Sequence, residues 1–287
     1  SNYQLYGDMS SRVMKILQSF VIDWEIYSID EAFLSLDHIP PEEQKAFAHH
    51  VRETILTWTG IPVSIGIAPS KTLAKVANHV AKKTECGVMM IESQEKIKTL
   101  LQDLPVRDIW GIAKGRENRL ASVGIHTAEQ LRHMDLSKAR KLLSITGEQM
   151  IKELQGICCI PLEKPQTKQS IQSSRSFSKP ITSYQQLQEV LAFFTTKIAE
   201  KLRQQQTYAQ QVTIYIRTSY FTAQKKQYSQ QAKINLSYPT QDTSQLIKVT
   251  QKLLKRIFAP GYDYSKAGVV VSDIKKVGRF QPLLFDQ

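Results

Sequence analysis

Two adjacent carboxylates, Asp30 and Glu31, lie within the stretch EIYSIDEAFLSLD at residues 25–37. The residues on both sides of them are typical of β-strands. Since consecutive side chains of a strand point to opposite faces of its sheet, both carboxylates can reach one ligand only where the chain bends or turns. A divalent metal ion held by the two carboxylates explains the pair, and so does an ordinary solvated turn.

The segment PSKTLAKVANHVAKK at residues 69–83 has the apolar spacing of a helix that packs against a sheet. Its apolar face consists of Leu73, Val76, Ala77 and Val80. The same spacing places polar residues on another face, namely Lys71, Lys75, Asn78 and Lys82. Ammonium groups in such a row repel one another, so an opposing anion, such as a triphosphate or a nucleic-acid backbone, explains the pattern. A solvated lysine face is the alternative.

Two glycine turns flank a predicted helix in WGIAKGRENRLASVGIHTAEQL at residues 110–131, and Thr127 is the predicted N-cap of the next helix. Helix-hairpin-helix modules bind DNA phosphates through backbone N–H groups at such a turn. The candidate residues are Gly111, Ile112, Ala113, Lys114 and Gly124. Ala113 stands where these turns usually have a second glycine, which is expected to weaken phosphate binding. Any two helices joined by a glycine loop give a similar pattern.

The chain has 38 Lys and Arg residues against 26 Asp and Glu residues, a formal charge of +12. Between residues 164 and 240 the only acidic residues are Glu189 and Glu200. The basic residues of this segment are Lys164, Lys168, Arg175, Lys179, Lys197, Lys201, Arg203, Arg217, Lys225, Lys226 and Lys233. Such a one-sided field predicts a polyanionic partner, although basic residues also serve to keep a domain soluble.

The composition, with 41% hydrophobic and 22% charged residues, is that of a globular protein. The sequence contains no apolar run of the ~20 residues that a membrane span needs and opens on no secretory signal. Its three cysteines, Cys86, Cys158 and Cys159, form neither a disulfide framework nor a zinc-binding spacing. We therefore expect a cytoplasmic protein without membrane association.

The periodic segments predict an α+β multidomain chain. Residues 1–95 alternate helices and strands, residues 96–163 are helical, and residues 164–171 have the polar composition of a linker. Residues 172–276 follow a β-α-β-β-α-β order. The tail at 277–287 contains Gln281, Leu284 and Phe285, which we expect to dock in a partner's pocket or to pack on the chain itself.

The motifs YSIDEAF, SIGIAPSKTLAKVANHVAKK, LPVRDIWGI and GIHTAEQL follow one another in this order. With them the chain resembles the Y-family translesion DNA polymerases, most closely their UmuC-like members. SRSF, PTQD and KAGVVVSDI extend the resemblance, and QPLLF resembles the family's sliding-clamp-binding peptide. The resemblance implies a partial polymerase palm at 1–95, a helix-hairpin-helix thumb at 96–163, a DNA-binding little finger at 172–276 and a clamp-binding tail at 277–287.

The resemblance also implies a reaction, which is template-directed nucleotidyl transfer from a dNTP to a primer on damaged DNA, within SOS-type repair. It assigns Asp30 and Glu31 to a site for two Mg²⁺ ions and Lys82 to the triphosphate, with Lys71 and Lys75 as electrostatic support. In the little finger it assigns DNA contacts to Arg175, Ser176 and Arg217. The implied partners are primer-template DNA, dNTP, the sliding clamp, a UmuD-like subunit and RecA.

The chain departs from the family in one respect. A first carboxylate motif and a fingers subdomain, which family members have near the N-terminus, are not found in this sequence, and Asp8 lies on a predicted helix instead of on the required strand. We therefore interpret the sequence as a polymerase fragment that lacks one metal carboxylate and binds DNA with little or no extension. The alternative is a non-catalytic protein that binds DNA and the sliding clamp.

Overall fold

The computed structural model describes residues 2–163, 169–221 and 226–276. The chain divides into two compact units, Ser1–Pro165 and Gln166–Gln287. Both units combine helices with β-strands, which confirms the predicted α+β class. Among the described residues, no helix is long and apolar enough to cross a membrane.

The first half of unit 1 contains four short strands between three helices. In chain order these are α1 (Tyr3–Phe20), β1 (Trp24–Ile26), β2 (Ala32–Leu34), α2 (Pro41–Thr59), β3 (Ile65–Ile67), α3 (Lys71–Ala81) and β4 (Val88–Met90). Strands β1 and β2 form an antiparallel hairpin, and β3 pairs with β4 in parallel. β1 is shorter than the pattern WEIYSI predicted, because residues 28–30 bend away from the ladder.

Helix α3 begins and packs as its sequence dictates. Ser70 caps its N-terminus by accepting a hydrogen bond from the backbone N–H of Leu73. Leu73, Val76 and Ala77 are buried as predicted, but Val80 is half-buried and Ala81 is buried in its place.

The contact between α3 and β3 depends on a glycine. A Cβ atom placed on Gly66 would lie 2.2 Å from the backbone nitrogen of Asn78 and 2.3 Å from the carbonyl oxygen of Ala74. Since both atoms belong to the helix backbone, no side-chain rotation can relieve such a clash. The absence of a side chain at Gly66 therefore sets how closely α3 approaches the sheet.

The second half of unit 1 is helical, as predicted. Its elements are α4 (Gln94–Gln102), a short 3₁₀ turn (Val106–Asp108), α5 (Lys114–Ala121), α6 (Ala128–Arg132), α7 (Leu136–Leu143) and α8 (Ile145–Leu154). Thr127 caps α6, and the side chain of Gln130 completes a capping box with it. The domain boundary predicted at residue 95 falls within α4, and Leu73 of α3 shares one core with Ile97 and Ile151.

Unit 2 has the predicted β-α-β-β-α-β order. Its elements are β5 (Ser170–Ile181), α9 (Tyr184–Gln204), β6 (Thr207–Arg217), β7 (Ser229–Thr240), α10 (Thr243–Ile257) and β8 (Tyr264–Lys276). The strands form one antiparallel sheet in the order β5-β8-β6-β7. Leu191 of α9 and Leu253 of α10 pack with Val212, Ile214 and Ile216 of β6 in one core. Since side chains alternate along a strand, the other face of the sheet carries the polar residues.

Substitution of Gly66 by alanine is expected to lower the free energy of unfolding of unit 1 by about 1–3 kcal/mol, the usual cost of overpacking. Urea denaturation followed by circular dichroism measures the change. Gly7→Ala is the control, since its added methyl group meets no atom within 4 Å and alanine favours helix α1. Equal midpoints for Gly66→Ala and the unchanged protein would contradict the close backbone contact.

Candidate functional site

Asp30 and Glu31 lie in the turn of the β1–β2 hairpin, at the predicted bend. The backbone N–H groups of Tyr27 and Ser28 both donate to the carbonyl oxygen of Glu31, at 3.0 and 3.1 Å. The Ser28 hydroxyl donates to Oδ1 of Asp30 at 2.6 Å, and the backbone N–H of Asp30 donates back to that hydroxyl at 3.3 Å. Asp30 is exposed and Glu31 is half-buried. The turn thus gives both carboxylates an ordered position near each other.

Helix α3 brings two of its three predicted lysines to the hairpin. Lys75 donates to Oε2 of Glu31 at 2.8 Å, and the buried Lys71 pairs with Glu25. Lys82 forms the C-terminal cap of α3 and is exposed. The fourth residue of the predicted polar face, Asn78, accepts a hydrogen bond from the Ser64 hydroxyl at 2.6 Å.

Aromatic side chains surround the Lys75 ammonium group. Its Nζ lies 4.6 Å from the ring centre of Tyr27 and 5.7 Å from that of Trp110, both within the range of cation–π attraction. The indole N–H of Trp110 donates to the Tyr27 hydroxyl at 2.7 Å. Trp110 precedes α5, so the segment predicted as thumb contributes a side chain to the carboxylate turn. The sequence analysis did not identify this residue.

A second buried network holds residues 159–163 against the start of α3. Glu153 of α8 is fully buried and accepts hydrogen bonds from three backbone N–H groups, those of Thr72, Cys159 and Ile160, at 2.8–3.1 Å. Glu25 accepts one more from the N–H of Glu163 at 2.8 Å. The sequence analysis missed both glutamates. Alternation along WEI predicts Trp24 and Ile26 inward and Glu25 outward, whereas the structure buries Glu25 and exposes Ile26, so the strand pattern carried no signal for this residue.

Asp30 and Glu31 are suited to Mg²⁺. Proteins usually bind this ion through one or two carboxylates and leave its other positions to waters and substrate phosphates. Within residues 2–163, 169–221 and 226–276, no cluster of three or more His, Cys, Asp or Glu residues could hold a metal ion. Burial, followed by the charge of Glu153, raises the pKa of Cys158 and Cys159, which disfavours the thiolate form that binds metals.

The two glycine turns around α5 have the backbone expected of them. Gly111 and Gly124 have φ angles of 87° and 78°, in the left-handed region that favours glycine. Ala113 caps α5 without a side-chain hydrogen bond, and its φ of −92° is one that alanine adopts without strain. Lys114 begins the helix, while Ile112 is buried. The alanine therefore does not distort this turn.

The polar face of the sheet in unit 2 carries a row that crosses all four strands. By strand register the row consists of Ser176, Lys266, Arg217 and Ser229. A shallow groove of about 430 Å³ includes Lys266 and Arg217 together with Tyr215. A Cβ atom on Gly268 would lie 2.5 Å from the Tyr215 ring, so this ring lies directly over β8.

Arg175 does not belong to this row. Its register partner is the buried Ala267, which faces the helices, and side chains paired across strands share a face. Of the three residues expected to contact DNA in this unit, the sheet therefore brings Ser176 and Arg217 together and leaves Arg175 on the opposite face. The expected clamp-binding residues Gln281, Leu284 and Phe285 lie outside the described part of the chain.

Comparisons with known proteins agree with this arrangement. Residues 1–79 match the impB/mucB/samB family, and residues 168–284 match the impB/mucB/samB family C-terminal domain. Protein ImpB of Salmonella typhimurium is 40% identical over 296 residues, which cover 100% of this chain and 69% of ImpB. This chain belongs to the impB/mucB/samB family. Another family member, protein UmuC of Salmonella typhimurium strain LT2, is 37% identical and is covered to 69% of its length.

More distant matches identify the fold of the chain. DNA polymerase IV of Desulfatibacillum aliphaticivorans is 24% identical over 98% of this chain and 69% of its own length. Among solved structures, a Y-family DNA polymerase chimera of Dbh and Dpo4 superposes with a TM-score of 0.75 at 19% identity. This superposition covers 96% of the chain and 78% of the chimera. The impB/mucB/samB chain therefore has a Y-family polymerase fold.

Proposed function

We propose that this chain provides the palm, thumb and little finger of a Y-family translesion DNA polymerase, which extends a primer with dNTPs past damaged template bases. The carboxylate pair in the hairpin turn, beside a lysine-bearing helix, is the observation that carries this proposal. Its support from relatives is the membership of the impB/mucB/samB family and the similarity to DNA polymerase IV. Family membership favours this enzyme over a non-catalytic DNA- and clamp-binding protein.

In the proposed site, Asp30 and Glu31 hold Mg²⁺ at the hairpin turn. Mg²⁺ bound by these two residues would lower the pKa of the primer hydroxyl and neutralise charge on the phosphates. The Ser28 hydroxyl fixes one oxygen of Asp30, so the other carboxylate oxygen is left for the ion. Lys82 is exposed at the end of α3 and is proposed to contact the dNTP triphosphate.

In the proposed complex with DNA, two surfaces neutralise phosphates. The turn at Gly111–Lys114 offers the backbone N–H groups of a helix N-terminus. The row on the sheet of unit 2 offers Arg217 and Lys266 with two flanking serines. Neither surface presents a pattern that reads bases, so binding through them is expected to be independent of sequence.

Asp30→Asn is expected to lower the rate of primer extension by the full-length protein about a hundredfold or more, because a neutral amide holds Mg²⁺ poorly. Single-nucleotide incorporation on a primer-template measures the loss. Asp37→Asn is the matched control, since Asp37 makes the same two hydrogen bonds with Ser35, at 2.6 and 3.3 Å, outside the hairpin turn. Equal activities of Asp30→Asn and Asp37→Asn would refute the assignment.

The salt dependence of DNA binding tests the sheet surface. Each lost phosphate contact reduces the slope of log affinity against log salt by about 1, so Arg217→Gln with Lys266→Gln is expected to reduce it by about 2. Fluorescence anisotropy at several salt concentrations gives the slope. Lys252→Gln with Lys255→Gln removes the same charge from exposed positions on α10. If this control pair changes the slope as much, the effect reports net charge and the proposed surface is wrong.

The tail is proposed to bind the sliding clamp through Gln281, Leu284 and Phe285. Apolar anchors dominate the binding energy of such contacts, so Leu284→Ala with Phe285→Ala is expected to weaken retention on the immobilised clamp about tenfold or more. Asp286→Ala with Gln287→Ala is the control for changes at the end of the sequence. Retention of the Leu284 and Phe285 variant at the level of this control would eliminate the proposal.

A further inference from the structure

We propose that Lys71 and Lys75 are positioning residues that fasten the β1–β2 hairpin to α3, and that they do not contact the dNTP triphosphate. Each lysine binds one cross-strand pair of the hairpin through both of its members, a carboxylate and an aromatic ring. The catalytic consequence of this inference rests on the proposed polymerase function. The contacts themselves can be tested by stability measurements that require no activity assay.

The contact of Lys71 with the hairpin is buried. Lys71 pairs with Glu25 of β1, and its Nζ lies 5.0 Å from the ring centre of Phe33 of β2. Glu25 and Phe33 face each other in the hairpin register. The side chains of Lys71 and Glu25 are only 7% and 9% exposed. Lys71 also donates to the carbonyl oxygen of Pro161 at 2.7 Å, so its charge is already well satisfied within unit 1.

The contact of Lys75 with the hairpin lies at the turn that carries Asp30 and Glu31. Lys75 donates to Glu31 at 2.8 Å, and its Nζ lies 4.6 Å from the ring centre of Tyr27. The N–H of Tyr27 donates to the carbonyl oxygen of Glu31, so these residues also face each other across the hairpin. Trp110 covers the second side of this ammonium group. The arrangement repeats that of Lys71 with its carboxylate and ring exchanged between the two strands.

The spacing of the lysines matches the spacing of the pairs. Four residues of an α-helix advance about 6 Å, and two residues of a strand advance about 6.6 Å. Lys71 and Lys75 are four residues apart, while Glu25 of β1 and Tyr27, which directly follows β1, are two residues apart in extended chain. Neighbouring lysines of one helix face therefore meet successive pairs of one hairpin. The like charges of Lys71 and Lys75 are stabilised by carboxylates of the hairpin, and no external anion is needed to explain these two lysines.

Energetics oppose a second role for Lys71. Removing one partner of a buried ion pair leaves an uncompensated charge and is strongly destabilising. If Lys71 moved to a triphosphate, Glu25 would be left in that state and the N–H of Glu163 would lose an ordered acceptor. Lys75 is more exposed, at 22%, but its movement would release Glu31. The exposed Lys82 has no such constraint within the described residues.

A double-mutant cycle tests the contact of Lys71 with the hairpin without metal, DNA or dNTP. Lys71→Met and Glu25→Gln are each expected to lower the urea midpoint. The double variant is expected to have a midpoint no lower than that of the less stable single variant, so that the two effects do not add. A single variant that fails to fold while the double variant folds supports the same coupling. Additive shifts would overturn the inference, because they would mean that the two side chains act independently.

Nucleotide kinetics and equilibrium dNTP binding of the full-length protein test the contact of Lys75 with the hairpin. Lys75→Met is expected to lower kcat about tenfold or more, with KM and Kd for dNTP changed less than about twofold, and Lys75→Arg to restore part of kcat. Lys82→Met is expected to raise KM and Kd, and Lys83→Met, at an exposed neighbouring position, to change neither. If Lys75→Met raises the dNTP Kd as much as Lys82→Met does, Lys75 is a triphosphate ligand and the inference is wrong. If a polymerase that contains this chain together with the family's first carboxylate motif and fingers extends no primer, the proposed function is refuted and the stability cycle is unaffected.

Discussion

The buried ion pair between Lys71 and Glu25 is the interaction on which the geometry of unit 1 depends. Two opposite charges have left water, so each requires the other and requires further hydrogen bonds. Those bonds come from Pro161 and Glu163, residues that follow the last helix of the unit. One pair therefore connects the β1–β2 hairpin, the helix beside it and the chain segment that follows α8. Displacement of the hairpin or of α3 separates the two charges, and displacement of residues 161–163 removes a hydrogen bond from each of them.

Around this pair, the surrounding elements differ in how they are fixed. Gly66 allows the backbone of α3 to lie directly on β3, which sets the height of the helix over its sheet. The lysines of that helix then set the position of the hairpin, and the hairpin turn orders Asp30 and Glu31 through Ser28. Backbone contact thus positions the helix, ion pairing positions the hairpin against the helix, and the turn geometry positions the carboxylates within the hairpin. As a result, Asp30 and Glu31 each have a hydrogen-bond or ion-pair partner within unit 1.

Local sequence signals predicted the bend at residues 28–31, the lysine-bearing helix and the β-α-β-β-α-β order of unit 2, because each of these depends on residues close in sequence. Pairings over long separations could not be predicted. Lys71 meets Glu25 across 46 positions and Trp110 meets Tyr27 across 83, and no periodicity links them. The face on which Arg175 lies follows from alternation with Ile171 and Phe177, which both pack in the core of unit 2, and the sequence analysis did not use this signal. The row of lysines predicted an opposing anion, and for Lys71 and Lys75 the structure places a carboxylate of the same chain there.

Gly268 has a consequence for the open face of unit 2. Because the glycine has no side chain, the Tyr215 ring packs directly against β8 at this position. The Tyr215 ring borders the groove that contains Arg217 and Lys266, and it lies close to the strand backbone there. In the proposed complex, such a surface allows a duplex to slide past while its phosphates exchange contacts. A polymerase must advance by one nucleotide after each addition, so its contacts with the duplex have to bind phosphates and also release them.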